Sequence, residues 1–232
     1  MIQAVIFDLY ETLVTEFDPD WRPGPSVAER LGLPQAAFDA AWNSRYEARM
    51  TGRLPDFAAV LREVTAELGQ TPNEAMIAQL RQERLKEKVI PFTHIDPAVL
   101  QMLNRLRAQS IKLGLITNAA PEEVAAWPES DLASFFDDMI ASYQVGLLKP
   151  DAGIYRLACE RLAVVPEATA FVGDGGNQEL PGAAQASLRP FWATWFLDRW
   201  PAWKCPPQVR QQAAPFLRLK HPNDLTNALS ME

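Results

Sequence analysis

Residues 5–14 read VIFDLYETLV. Val5, Ile6 and Phe7 form an unbroken apolar run, and Val and Ile favour β structure. Such a run predicts a short strand buried on both faces, as in a parallel sheet covered by helices. Asp8 closes the run and Thr12 follows. An isolated aspartate there reads equally well as a loop cap. At a site, its carboxylate can attack an electrophilic centre and form an acyl intermediate.

Outward from Asp8 the pattern changes twice. Residues 16–25, EFDPDWRPGP, are broken by prolines and a glycine and read as a linker. From Ser26 to about Lys88 the period is helical, without a strand signal. Phe38, Trp42 and Tyr46 recur at i, i+4 and i+8 on one helix face ending at Gly52. Asp56 and Asn73 are candidate N-caps of two further helices. The period then switches. A helix over DPAVLQMLNRLRAQS precedes a buried strand, IKLGLITNAA, and a short helix, PEEVAAW. A weaker strand, MIASY, is followed by the helix AGIYRLACERLAV and the buried strand ATAFVGDGG. Then come a helical turn over NQELPGAAQASL, a strand over RPFWATWFL, and a short strand with a terminal helix capped by Asn223 or Asp224.

Strands alternating with helices predict an α/β fold, a doubly wound parallel sheet with a helical insertion after the first strand. The core would comprise residues 1–15 and 92–232, and the insertion residues 16–91. In such sheets ligands bind beyond the carboxyl ends of the strands. Asp8, Thr117 and Asp174 each fall at such an end.

Composition sets bounds. The chain has 232 residues, 48% apolar and 22% charged, with a net charge of -7. It can bury a full core without disulfides or a structural metal. The acidic balance excludes the basic footprint that nucleic-acid binding needs. Cys159 and Cys205 lie far apart and read as unpaired thiols of a reducing compartment. No signal-peptide pattern and no membrane-length apolar run is present. The expectation is a cytoplasmic protein, monomer or homodimer, with no membrane or nucleic-acid partner.

The polar residues at the strand ends carry the chemistry. In LITNAA, the Thr117 hydroxyl and the amide after it, that of Asn118, can hydrogen-bond an anion, although Thr-Asn is also ordinary turn chemistry. Lys149, before Pro150, can balance negative charge and hold a transferred anion. In FVGDGGNQEL, Asp174 and Glu179 flank glycines that let the backbone turn tightly. Glu179 also suits the first turn of the next helix. With Asp8 these make three carboxylates near one point. Like charges so placed repel unless a cation separates them. An all-oxygen donor set selects a hard ion such as Mg²⁺.

Together these stretches resemble the haloacid dehalogenase superfamily, whose members are mostly phosphatases. FDLYETL matches its first motif, LITNA the second, Lys149-Pro150 the third, and VGDGGNQEL with PGAAQAS the fourth. The helical block resembles that family's helical cap. The resemblance covers nearly the whole chain and implies a hydrolase acting on a small phosphorylated metabolite. It implies Asp8 as nucleophile and Mg²⁺ held by Asp8, the backbone carbonyl of Tyr10 and Asp174, with Glu179 a metal ligand through water or a nearby partner. It further implies that Thr117, the Asn118 amide and Lys149 bind the transferring phosphoryl group, through an aspartyl-phosphate intermediate.

Tyr10 departs from the phosphatase pattern, which has a second aspartate there as general acid and base. A phenol with a pKa near ~10 is a poor acid at neutral pH. The 2-haloacid dehalogenases of the superfamily resemble the chain in carrying tyrosine at this place, because a halide leaves without a proton. Lys149 and Tyr155 also fit their pattern. Those enzymes use no metal and have a serine-type residue where Asp174 stands, so the fourth motif favours a phosphatase and the first permits a dehalogenase. A third possibility is an inactive member that binds an anion or a partner.

Two further features remain. Arg45 and Arg49, at i and i+4, form a positive stripe that is either a solvated face or a substrate-anion contact. FWATWFLDRWPAWKC holds four tryptophans, read as core packing with an exposed patch for a partner as the alternative. His94 and His221 fit no catalytic or metal spacing.

Overall fold

The structure is a computed structural model that describes residues 1–20, 22, 24–201 and 204–230. The linker reading at 16–25 includes Trp21 and Pro23, and the aromatic cluster includes Trp203. These three lie outside the described residues.

Strand β1, Ala4–Phe7, is fully buried. The chain then enters the helical block: α1 (Val27–Arg30), α2 (Gln35–Ser44), α3 (Tyr46–Met50), α4 (Phe57–Glu67) and α5 (Glu74–Thr93). Helix α6 (Pro97–Ala108) leads into β2 (Lys112–Thr117). There follow β3 (Asp138–Ala141), α7 (Ser142–Val145), α8 (Ala152–Arg161), β4 (Thr169–Gly173) and α9 (Glu179–Gln185). The chain ends with β5 (Arg189–Ala193), α10 (Pro207–Ala213), β6 (Leu217–Leu219) and α11 (Asn223–Ser230).

The strands form one parallel sheet in the order β3-β2-β1-β4-β5-β6. Because side chains alternate along a strand, β1 feeds two cores. Val5 and Phe7 pack with Val99, Met102 and Leu103 of α6. Ala4 and Ile6 pack with Ile154 and Tyr155 of α8 and Leu180 of α9. Helices thus cover both faces, which is why β1 carries no polar side chain before Asp8. Phe7 pairs with Leu115 on one side and Val172 on the other, so Asp8, Thr117 and Asp174 emerge together at one edge.

The helical block has its own core of Phe38, Ala41, Phe57, Leu61, Val64, Ile77 and Leu80. Asp56 and Asn73 cap α4 and α5 by accepting from the Ala59 and Met76 amides. The long helix expected from Gln35 to Gly52 is broken at Arg45. The Ser44 hydroxyl and the Arg45 guanidinium both take the Ala41 carbonyl, each at 2.9 Å, which disrupts the regular ladder. The helix expected over PEEVAAW is instead two 3₁₀ turns, Pro121–Glu123 and Trp127–Glu129. The RPFWATWFL strand stops at Ala193, since its neighbour β6 is only three residues long and the next segment turns, the Asp198 amide donating to the Thr194 carbonyl at 2.9 Å. Among the described residues no helix is long and apolar enough to cross a membrane.

Candidate active site

At the carboxyl edge of the sheet lies a cleft of about 160 Å³ lined by Asp8, Tyr10, Glu11, Thr117, Asn118, Lys149, Asp174, Gly176, Asn177, Glu179 and Lys204. Its centre is Lys149, 2% exposed. The Lys149 ammonium donates to Asp8 Oδ1 at 2.5 Å and to Glu179 Oε2 at 2.6 Å. The second Asp8 oxygen accepts from the Thr12 hydroxyl at 3.3 Å. Lys149 is positioned through its backbone. Its amide donates to Asn118 Oδ1 at 2.8 Å, and Asn118 Nδ2 returns a bond to its carbonyl at 2.9 Å. The Asn118 side chain therefore clamps the third motif to the second.

Asp8, Asp174 and Glu179 each place a carboxylate oxygen within 4.8 Å of the others. The ends of the fourth motif are tied down. The Gly175 amide donates to Glu179 Oε1 at 3.0 Å, and the Gly176 amide to Asp174 Oδ1 at 2.8 Å. The buried Tyr155 hydroxyl donates to the Glu179 backbone carbonyl at 2.8 Å, so Tyr155 supports the acid from behind rather than facing the cleft. Gly173 is required by close approach: a Cβ there would stand 2.1 Å from Glu179 Oε1.

The electrostatics follow from burial and crowding. Burial and the neighbouring Asp8 push Asp174 up to about 6. Burial, with Asp8 and Asp174 adding to it, also drives Glu179 well above the usual carboxylate range, against the pull of Lys149. Burial alone would lower Lys149, but Asp8 and Glu179 override it and raise it. The cleft holds four carboxylates against two ammonium groups. At an effective dielectric of about 20, like charges at such separations repel by about 3 kcal/mol per pair. A largely buried all-oxygen set with surplus negative charge has the chemistry of a hard divalent cation site.

Tyr10 stands at the cleft wall, but its hydroxyl is committed. It donates to the Glu123 backbone carbonyl at 2.5 Å, and its ring packs edge-on against Phe92 of α5. Burial raises its pKa, with Glu16 and Glu123 adding to the effect. As placed, the phenol has no proton to lend to chemistry.

The structure brings Asp8, Tyr10, Thr117, Asn118, Lys149, Asp174 and Glu179 together, and leaves both stripe arginines out of the cleft lining. Arg45 turns to its own block, where its guanidinium pairs with Glu63 and Glu67 of α4. Arg49 is 8% exposed, so it is no solvated face. Its guanidinium lies 4.0 Å from the Trp42 ring centroid, and burial lowers its pKa. Two charged cleft residues receive no role from the sequence, Glu11 and Lys204. Glu11 follows Tyr10 directly, with a φ of +56° and 2% exposure. Its position in the first motif was the available signal. Lys204 lies in the tryptophan-rich segment, where nothing local marks it.

The family of this chain follows from comparison with known proteins. The haloacid dehalogenase-like hydrolase family model matches residues 2–187. The chain belongs to that family and is a hydrolase of its α/β fold. It is 30% identical over 171 residues to a phosphoserine phosphatase of Thermus thermophilus, an alignment covering 71% of this chain and 66% of that enzyme, just under two thirds of its length. It is 29% identical over 198 residues to a phosphoglycolate phosphatase of Salmonella choleraesuis, covering 76% and 75%. In fold it is similar to a 2-haloacid dehalogenase from Pseudomonas syringae, with a TM-score of 0.63, 23% identity and coverage of 100% and 99%.

Proposed function

We propose that the protein is a Mg²⁺-dependent phosphohydrolase acting on a small phosphorylated metabolite, with the helical block as its cap. The observation that carries this reading is the triad of buried Asp8 and Glu179 with half-buried Asp174, whose oxygens lie within 4.8 Å of one another. Burial first, and the crowding by neighbouring carboxylates second, shift Asp174 and Glu179 upward, and a hard cation between the oxygens would offset that crowding. Asp8, Asp174, Glu179 and the Tyr10 carbonyl would hold the ion, which supplies charge neutralisation at the phosphoryl oxygens.

The chain's own residues do the rest. Asp8 attacks phosphorus and forms the O–P bond of an aspartyl phosphate, while the ester oxygen departs with the bonding pair. Water then attacks phosphorus, frees Asp8 and yields inorganic phosphate. Thr117, the Asn118 amide and Lys149 hold the phosphoryl group, and the Lys149 hydrogen bond orients the Asp8 carboxylate. With the Tyr10 phenol committed to Glu123, no side chain at that place protonates the leaving oxygen. Loss of such an acid typically costs about 10²–10⁴ in rate.

The same tyrosine favours a second reading, metal-free hydrolysis of a C–halogen bond, whose leaving group needs no proton. One experiment separates them: hydrolysis of p-nitrophenyl phosphate with and without Mg²⁺, in wild type and Asp8→Asn. The expected outcome is Mg²⁺-dependent turnover that Asp8→Asn abolishes. No phosphate release, together with chloride release from 2-chloropropionate in the presence of a chelator, would replace this reading with the dehalogenase one.

A further inference from the structure

Lys204 is the cation in the cleft that the chemistry above does not use. It enters from the segment between β5 and α10, not from the loops that carry Asp8, Thr117, Lys149 and Asp174. Its backbone is anchored on both sides. Before it, the Trp200 indole donates to Glu11 Oε2 at 2.8 Å, and the Lys204 amide donates to the Pro201 carbonyl at 3.0 Å. After it, Cys205 is 2% exposed within the core, and its carbonyl accepts from Arg210 Nε at 3.0 Å.

The ammonium lies 4.3 Å from the Trp200 ring centroid and 3.7 Å from Glu11 Oε1. The second distance is too long for a hydrogen bond. Glu11 does not need one from Lys204, because its oxygens already accept from the Thr15 hydroxyl, the Glu16 amide and the Trp200 indole. A lysine serving only as a countercharge would close on its acid, as Lys149 closes to 2.5 and 2.6 Å on Asp8 and Glu179. Among the described residues the Lys204 ammonium has no hydrogen-bond acceptor, while it borders the cleft.

We propose that Lys204 binds a second anionic group of the substrate, so that the enzyme selects small phosphomonoesters bearing an additional acid. This rests on the phosphohydrolase reading and names the substrate class of the same site. Lys149 is engaged by Asp8 and Glu179 and serves the phosphoryl group. An ester with no other charge would leave Lys204 unused. A cleft of about 160 Å³ places the second anion only a few atoms from phosphorus. Carboxylate and phosphate share the chemistry an ammonium recognises.

The test compares non-hydrolysable analogues as inhibitors of p-nitrophenyl phosphate turnover at fixed Mg²⁺. Phosphonoacetate and ethane-1,2-diphosphonate are each set against ethylphosphonate, in wild type, Lys204→Met and Lys204→Arg. Methionine keeps the apolar stem and removes the charge. Wild type should prefer at least one doubly anionic analogue by about tenfold or more, as a charge-assisted hydrogen bond supplies. Lys204→Met should bring that preference close to one, and Lys204→Arg should keep most of it. The analogue with the larger loss identifies the second group as carboxylate or phosphate. Equal preference in wild type and Lys204→Met, or no preference in wild type, overturns the proposal. If p-nitrophenyl phosphate is not turned over at all, the phosphohydrolase reading falls. The same ratios, read by titration calorimetry, then decide the Lys204 contact independently.

Discussion

The phenol of Tyr10 is spent on the Glu123 carbonyl, and this shapes the chemistry open to Asp8. If the leaving oxygen departs unprotonated, turnover should depend steeply on leaving-group acidity. A series of aryl phosphates should give a strongly negative slope of log kcat/KM against phenol pKa. Tyr10→Asp should flatten that slope and raise turnover of alkyl phosphates by up to about 10²–10⁴. Asp174 sets a pH dependence. Its pKa in the fold is about 6, above the roughly 3.9 of an unfolded chain. Between those values the folded state holds a proton that the unfolded state has lost. Its stabilising contribution is therefore full at low pH and falls away as pH rises through its folded pKa. Stabilisation by Mg²⁺, read as the rise in Tm, should accordingly be larger near about pH 7.5 than near about pH 5, where protons compete for the same oxygens. Gly173→Ala would push the Glu179 carboxylate off its place, since the added Cβ meets Oε1 at 2.1 Å. The expected result is an approximately 10–100-fold loss of Mg²⁺ affinity by calorimetry, with the far-UV spectrum retained.

At the scale of elements, α5 is the connection between helical block and core. Arg84, Lys88 and Phe92 recur at i, i+4 and i+8 on one face of it. Arg84 pairs with Glu122 at 3.2 Å and with Glu123 at 2.9 Å. Lys88 pairs with Glu16 at 2.5 Å and stands 5.1 Å from the Tyr10 ring centroid, while Phe92 packs on the same ring. Tyr10 is thus the pivot on which the block rests. The partners of α5 include the 3₁₀ turn Pro121–Glu123, directly after the second motif, so the seat of the block and the loop proposed to bind the phosphoryl group share a backbone. Removing Arg84 leaves Glu122, whose side chain is 7% exposed, without its cation. Arg84→Ala should cost about 1–3 kcal/mol by urea denaturation. High salt should lower stability less in Arg84→Ala than in wild type, because the variant has less attraction to screen.

For the molecule as a whole, the small cleft limits what can enter. About 160 Å³ lies below the roughly 300–1,000 Å³ of typical ligand pockets. Nucleoside monophosphates should show kcat/KM at least about tenfold below that of three-carbon phosphomonoesters, measured by phosphate release. The fold was legible because each strand that ends at the cleft is a short apolar run closed by a polar residue, as in AVIFD and TAFVGD. Asp8, Thr117 and Asp174 could be set at one edge from that pattern alone. The destinations of Arg45 and the Tyr10 hydroxyl were not legible, because they depend on partners far along the chain, Glu63 and Glu67 for the first and Glu123 for the second, while Arg49 turns to Trp42 only seven residues away because the helix breaks at Arg45 between them. Lys204 was hidden for the same reason, its neighbour Glu11 being remote in sequence. The tryptophans that read as packing have a more specific place. The Trp192 indole donates to the Asp174 carbonyl, Trp195 to the Thr12 carbonyl and Trp200 to the Glu11 carboxylate, at 2.9, 2.9 and 2.8 Å. Three indoles are thereby wired to the loops that would grip an ion and an anion. The protein carries its own optical gauge: its ultraviolet emission should shift as those loops take up Mg²⁺ or orthovanadate, so occupancy can be followed with no label attached and no substrate known.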